Sequence, residues 1–398
     1  MRRIQLDLIL VVLLIPIAAR ATDYYVSPTG SDSNSGSQAS PWLTINHANG
    51  VVVAGDTVHV ADGTYNVSNS GTGYYTGGVA TTVSGTASAR IRYVSINKWG
   101  AKIVSSGYTY NPSTGVSTGA NDAWYNTGSY VDIVGFDITA DGHIGILNDG
   151  SYVNELSNRI HDITAPYACN GFTGGSAGID NANDISTASG SSANGNWIYN
   201  LGDQTNRCES GAHGVYQAVP GGTIENNLIY QVSGFGVHLY HQASNVTVLF
   251  NTIFQGVGGI VVGASVGYID DYTNVSNNIF VDHQTWGILE NGYAGDHNTY
   301  SNNVIYDNPT NLSLQSGHSA TGTVSAAEST LFVNWQSNGS GNYHLKAGSP
   351  AIDAANPSYP VSTDFDGVSR PQGAGYDIGA YEYVLRPSPP TSVTVVPH

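Results

Sequence analysis

Asn227-Leu-Ile229-Tyr230, Asn251-Thr-Ile253-Phe254, Asn277-Asn-Ile279-Phe280 and Asn303-Val-Ile305-Tyr306 repeat one four-residue pattern through the middle of the chain. The pattern also occurs at Asn158-Arg-Ile160-His161 and Asn196-Trp-Ile198-Tyr199, so successive asparagines stand 38, 31, 24, 26 and 26 residues apart. Steps in the mid-twenties suit one turn of a three-sided coil, and the two longer steps suit coils that carry inserted loops. A second column keeps pace: Gly145, Gly178, Gly214, Gly236, Gly259 and Gly287 are each followed by Ile or Val. Strand side chains alternate between faces, so this Ile or Val is expected in the core and the next residue outside. Coils stacked about 4.8 Å apart bring equivalent residues into contact. Asparagines at a repeated turn, in left-handed geometry, would then form a hydrogen-bonded ladder, with isoleucines stacked inside and aromatic rings stacked in their own column. The expected fold is all-β, a right-handed parallel β-helix.

The ends and the composition set further bounds. Arg2 and Arg3, the apolar run Leu8–Ile17 and Ala19-Arg20-Ala21 have the layout of a secretory signal peptide, with cleavage expected after Ala21. The apolar run is too short to span a bilayer comfortably, and no later stretch is apolar enough for an anchor. Residues 22–383 read as one solenoid domain, and Pro387-Ser-Pro-Pro390 begins a stiff tail within 384–398. A solenoid needs capped ends. Pro41–Ala48 is expected to be a short amphipathic cap helix ahead of the strand Asp56–Val60. The chain carries 12 Lys+Arg against 29 Asp+Glu, a formal charge of −17 that disfavours nucleic acid and anionic lipid as partners. In an exported chain, Cys169 and Cys208 default to one disulfide, with two buried thiols as the alternative; two isolated cysteines are too few for a zinc site. The capped solenoid is expected to be a monomer.

Both ends also carry a resemblance. Tyr24-Tyr-Val-Ser-Pro-Thr-Gly-Ser-Asp-Ser-Asn-Ser-Gly36, Pro41-Trp-Leu-Thr-Ile45, Gly55-Asp-Thr-Val58 and Gly63-Thr-Tyr65 resemble the opening of bacterial secreted right-handed β-helix proteins. That group includes pectate-lyase-like and other polysaccharide-lyase-like chains. Ser349-Pro-Ala-Ile-Asp353, Asp364-Phe-Asp-Gly367, Arg370 and Asp377-Ile-Gly-Ala-Tyr-Glu382 resemble a closing segment of the same group. The resemblance implies the fold, export and an extracellular polysaccharide as partner. It does not choose between lyases, hydrolases and non-catalytic adhesins.

The outward position two residues after each column glycine reads Leu147, Asp180, Tyr216, His238, Val261 and Leu289. Three neighbouring coils thus present an acid, a phenol and an imidazole in one line, with His213, Tyr240 and His241 close by in sequence. Lyases of this group use calcium to neutralise a uronate carboxylate and a Lys or Arg as base. Here the only lysines are Lys98, Lys102 and Lys346, outside the central coils. The candidate bases are therefore His213 or His238 with Tyr216 or Tyr240 as acid, or Arg159 or Arg207. Arg207 or a bound cation would neutralise the carboxylate. Asp180, Tyr240, His241 and Arg159 are candidate substrate contacts, and Asp180-Asn-Ala-Asn-Asp184 is the candidate calcium site through Asp180 and Asp184. A glycosidase would need two carboxylates, for which Asp180 with Asp184 or Glu209 are available. Ala212-His213-Gly214 only faintly resembles the Gly-His-Gly element of β-helix polygalacturonases, whose three-Asp pattern is not present. The reading is a polysaccharide lyase acting by β-elimination, with a carbohydrate-binding adhesin and a glycoside hydrolase as alternatives.

Overall fold

The computed structural model describes residues 21–68, 77–170, 175–182 and 187–384. All but Ala21 of the expected signal peptide, all but Val384 of the tail, and Asp184 lie outside them. Among the described residues the strands assemble into three parallel sheets of 11, 9 and 9 strands, here sheets 1, 2 and 3. Each coil passes from sheet 1 through a tight turn to sheet 2, and then through connections of varied length to sheet 3. All three sheets stack in register, giving the right-handed β-helix expected from the repeat.

The ladder sits at the turn between sheets 1 and 2. Asn158, Asn196, Asn227, Asn251, Asn278 and Asn303 donate side chain to side chain, each to the next, at 2.8–3.2 Å. The backbone N–H of each also donates to the next side-chain oxygen, and each amide nitrogen from Asn196 onward donates to a carbonyl of the coil before. The buried turn is thereby satisfied without water.

Two details correct the sequence reading. The fifth member is Asn278 rather than Asn277, so Phe280 and not Ile279 pairs with Ile253, and Val281 takes the place expected for the aromatic ring. The Asn277-Asn278 doublet hid this shift. The left-handed residue is also not the ladder asparagine but its predecessor: Ser157, Gly195, Asn226, Phe250, Asn277 and Asn302 all have positive φ. That conformation turns the chain sharply, and an extended asparagine after it can reach both neighbouring coils.

Inside, Ile146, Ile179, Val215, Val237, Ile260 and Ile288 of the glycine column are fully buried. The glycines have a packing reason. A Cβ at Gly178, Gly214, Gly236 or Gly287 would collide with Cγ2 of Ile198, Ile229, Ile253 or Ile305 from sheet 2. The two sequence columns thus interlock across the core. A second ladder, which the sequence reading missed, links Asn126, Asn148, Asn181 and Gln217 at the exit from sheet 3.

The ends differ from expectation. The cap over Pro41–Ala48 is a 3-10 helix at Ile45–Gly50 that buries Ile45 and Ala48. It starts later because Trp42 is already engaged, bridging to Val26 and stacking on Tyr24 at 4.7 Å. The closing segment does not simply cover the last coil; it runs back along the outer face of sheet 2. Asn226, Asn277 and Asn302 side chains hydrogen-bond to the backbone of Thr363, Asn356 and Ala354. Arg370 is buried there, donating to Glu382 at 3.0 Å and to the Gly379 carbonyl at 2.7 Å, with its guanidinium over Phe250. Leu228, Tyr230, Phe254 and Ile279, outward on sheet 2, form a second core with Phe332, Tyr343, Ile378 and Tyr381.

Candidate functional site

With sheet 2 covered along much of its length, sheet 3 carries the candidate residues. Register places Leu147, Asp180, Tyr216, His238, Val261 and Leu289 in one outward line. A parallel outward line lies three residues earlier on each strand: Ile144, Ala177, His213, then Phe235, Gly258 and Trp286. The sequence reading followed the first line only, so Phe235 and Trp286 were missed. The available signal was the residue immediately before each column glycine.

His213 and His238 meet in the middle. His213 is buried, and its Nδ1 accepts the Phe235 backbone N–H at 3.1 Å. A neutral imidazole then carries its proton on Nε2, and that proton is donated to His238 Nδ1 at 3.0 Å. His238 in turn must carry its own proton on Nε2. Burial pushes His213 down to about 3, and burial first, then the neighbouring imidazoles of His213 and His241, holds His238 well below the ordinary histidine range, so both rings are neutral at ordinary pH. The Nδ1 lone pair of each ring is thus already used.

Around this pair the rings close in. Tyr216 lies edge-on to His238 at 4.9 Å between centroids, and Tyr240 lies 5.4 Å from His238. His241 reaches 4.5 Å from Tyr240 and 6.1 Å from Tyr216. Asp180 is buried directly beside Tyr216 in the register. Six of the predicted residues therefore come together: Asp180, His213, Tyr216, His238, Tyr240 and His241.

The others do not join them. Arg159 is on sheet 2, paired with Asp137, which also accepts from His161 at 2.9 Å, and stacked over Trp99. Arg207 lies on the connection entering sheet 3 and donates to Gln204 and Gln255 at 3.2 and 3.0 Å. Cys169 and Cys208 do form a disulfide, with Cα atoms 5.8 Å apart. It ties together the connections that follow Ile163 and Leu201, both entering sheet 3 from the same corner. A bond of this kind fits an oxidising compartment.

For calcium, Asp180 is the described member of the expected pair. Asn181 beside it is committed to the second ladder, accepting from Asn148 and donating to Gln217. Among the described residues no three His, Cys, Asp or Glu side chains gather into a metal-holding group; Asp184 lies outside them. No helix among them is long and apolar enough to cross a membrane.

The chain has the pectate-lyase-like parallel β-helix fold. It is similar in structure to the pectate lyase Pel9A, with a TM-score of 0.64 and 17% identity over 92% of this chain and 97% of that one. It is also similar to a rhamnogalacturonan lyase, with a TM-score of 0.53 and 17% identity over 80% of this chain and 92% of that one. Residues 28–73 match a family described as protein of unknown function (DUF1565). No curated protein matches the sequence. At these identities the likeness establishes the fold and no specific activity.

Proposed function

We propose that the outer face of sheet 3 binds an extracellular uronate-containing glycan and cleaves it by β-elimination. The observation that carries this reading is the His213–His238 pair with Tyr216 against it. The imidazole pair supplies a neutral donor, His238 Nε2–H, for the uronate carboxylate, whose charge grows at the carboxyl oxygens as the C5 proton leaves. With both Nδ1 lone pairs in use, the base is Tyr216 as its phenolate, rather than either histidine. It takes the C5 proton, the C5–H electron pair forms the C4–C5 double bond, the C4–O bond breaks, and the Tyr216 proton passes to the departing oxygen. Arg207 stands at the entry corner to meet the negative chain. A hydrolase would need a second carboxylate beside the buried Asp180, the role for which Asp184 and Glu209 are the candidates.

One observation favours a second reading, a carbohydrate-binding protein without catalysis: the partly exposed Trp286, stacked nearly parallel on the buried Phe235 at 5.9 Å, offers an aromatic surface on the same face. The test is to incubate the full chain with pectin, alginate and glycosaminoglycans, with and without EDTA, following the ultraviolet absorbance of an unsaturated uronate. Elimination raises that absorbance, hydrolysis releases reducing ends without it, and binding alone gives neither. The EDTA arm asks whether Asp180 with Asp184 takes calcium. Tyr216→Phe should abolish the absorbance change and His238→Ala should lower it strongly; if both variants match wild type, the site lies elsewhere.

A further inference from the structure

Resting on that reading, we infer that the glycan is a mixed one, in which an uncharged pyranose ring lies on Trp286 two positions from the uronate held at His238. The floor of sheet 3 changes character along the helix axis. At the coils of Tyr216 and His238 it is polar. From Phe235 on His238's own strand, and across the next two coils, it becomes a cluster with Val257, Val261 and Leu289, with Trp286 partly exposed on top. Coils are spaced about 4.8 Å apart, comparable with the length of one sugar ring, so a chain laid along the axis places its second ring beyond the uronate on Trp286. The flat C–H face of a pyranose packs on such a ring.

Charge decides which pyranose. Between Arg207 and Lys346 the sequence contains no Lys or Arg. Three of the histidines of this half offer no spare cation. His283 is pushed down to about 3 by burial, while His297 and His318 are held by Asp271 and Glu290, each at 2.8 Å. The connections after Val262 and Glu290 bear Asp270, Asp271 and Asp296 and expose Val266, Ile269 and Tyr293. A carboxylate over this apolar floor would lose hydration, and Arg207, which reaches the corner before it, is already engaged by Gln204 and Gln255. A neutral sugar or an esterified uronate would not.

The experiment compares kcat/KM of the full chain, by unsaturated-product absorbance, on three polymers: a de-esterified homopolyuronate, its methyl ester, and a polymer alternating uronate with neutral sugar. At least one uncharged-neighbour polymer should be preferred by about tenfold or more, and Trp286→Ala should raise its KM by about tenfold with kcat little changed. Trp286→Phe should keep most of the affinity, which separates lost stacking from lost folding. The two uncharged polymers distinguish ester from neutral sugar. Equal or better turnover of the homopolyuronate, or a Trp286→Ala variant identical to wild type, would overturn the inference. If no polymer yields product, the elimination reading fails, and affinity electrophoresis in the same polymers becomes the readout. Retention by uncharged-neighbour polymers that Trp286→Ala removes supports the inference; equal retention by the homopolyuronate refutes it.

Discussion

Glu155 is fully buried inside the solenoid, on the sheet 1 strand Asn154–Leu156, between Ile133 and Ala193 of the adjacent coils. Neither carboxyl oxygen makes a hydrogen bond of normal geometry. Burial raises its pKa from 4.5 to about 8, and the Asn181 amide and Arg90 only partly offset that cost. Between these two values the folded chain holds a proton on Glu155 and the unfolded chain does not. Stability therefore falls as pH rises through that window, by up to about 5 kcal/mol at ~1.4 kcal/mol per pH unit. Glu155→Gln replaces the acid with a group that is neutral at every pH. Denaturant unfolding of both proteins, followed by tryptophan fluorescence from about pH 5 to 9, isolates the effect. Asp270 and Asp377, raised to about 7 and about 6 by burial, contribute equally to both curves. The wild type should lose several kcal/mol relative to the variant between the low and high ends. Parallel curves would refute the reasoning, since they would mean that Glu155 releases its proton at an ordinary pH.

Three further outcomes follow from the geometry. Asn227→Ala leaves the Asn196 N–H and the Ala193 carbonyl without their buried partner, so chemical denaturation should show a loss of about 2–4 kcal/mol. Gly236→Ala drives a methyl into Ile253 in a filled core and should cost about 1–3 kcal/mol or more in the same assay, whereas an alanine at the open Gly50 should be far milder. If the glycan is cleaved with Tyr216 as base, the pH–rate profile should lack an acid limb at the ordinary histidine value of 6.5, because His213 and His238 stay neutral throughout. A fall in kcat/KM on acidification through that value would show that an imidazole takes the proton.

Much of the fold could be read before any coordinates, because stacking makes each coil restate the same packing problem. The Asn and Gly-Ile columns are direct images of the ladder and the interlocked core. Asn277 was misassigned because two adjacent asparagines satisfy the pattern equally, and only pairing across coils selects Asn278. The line Asp180–Tyr216–His238 was legible for the same periodic reason. The protonation state of its histidines was not: it depends on one backbone N–H, that of Phe235, meeting one ring nitrogen across a coil. The placement of Arg159 was misjudged because charge was read along the chain, while the Asn-x-Ile and Gly columns belong to different sheets.

The closing segment along sheet 2 bears on how the molecule is made. Coils can dock one upon another as the chain leaves the ribosome, each new strand finding a template in the last. Tyr230, Phe254 and Ile279, however, wait for partners such as Tyr343, Ile378 and Tyr381, which are synthesised more than sixty residues later. Until then a finished solenoid displays a bare aromatic seam to its surroundings. Export of an unfolded chain, with folding on the far side, would let that seam close as soon as its coils stack.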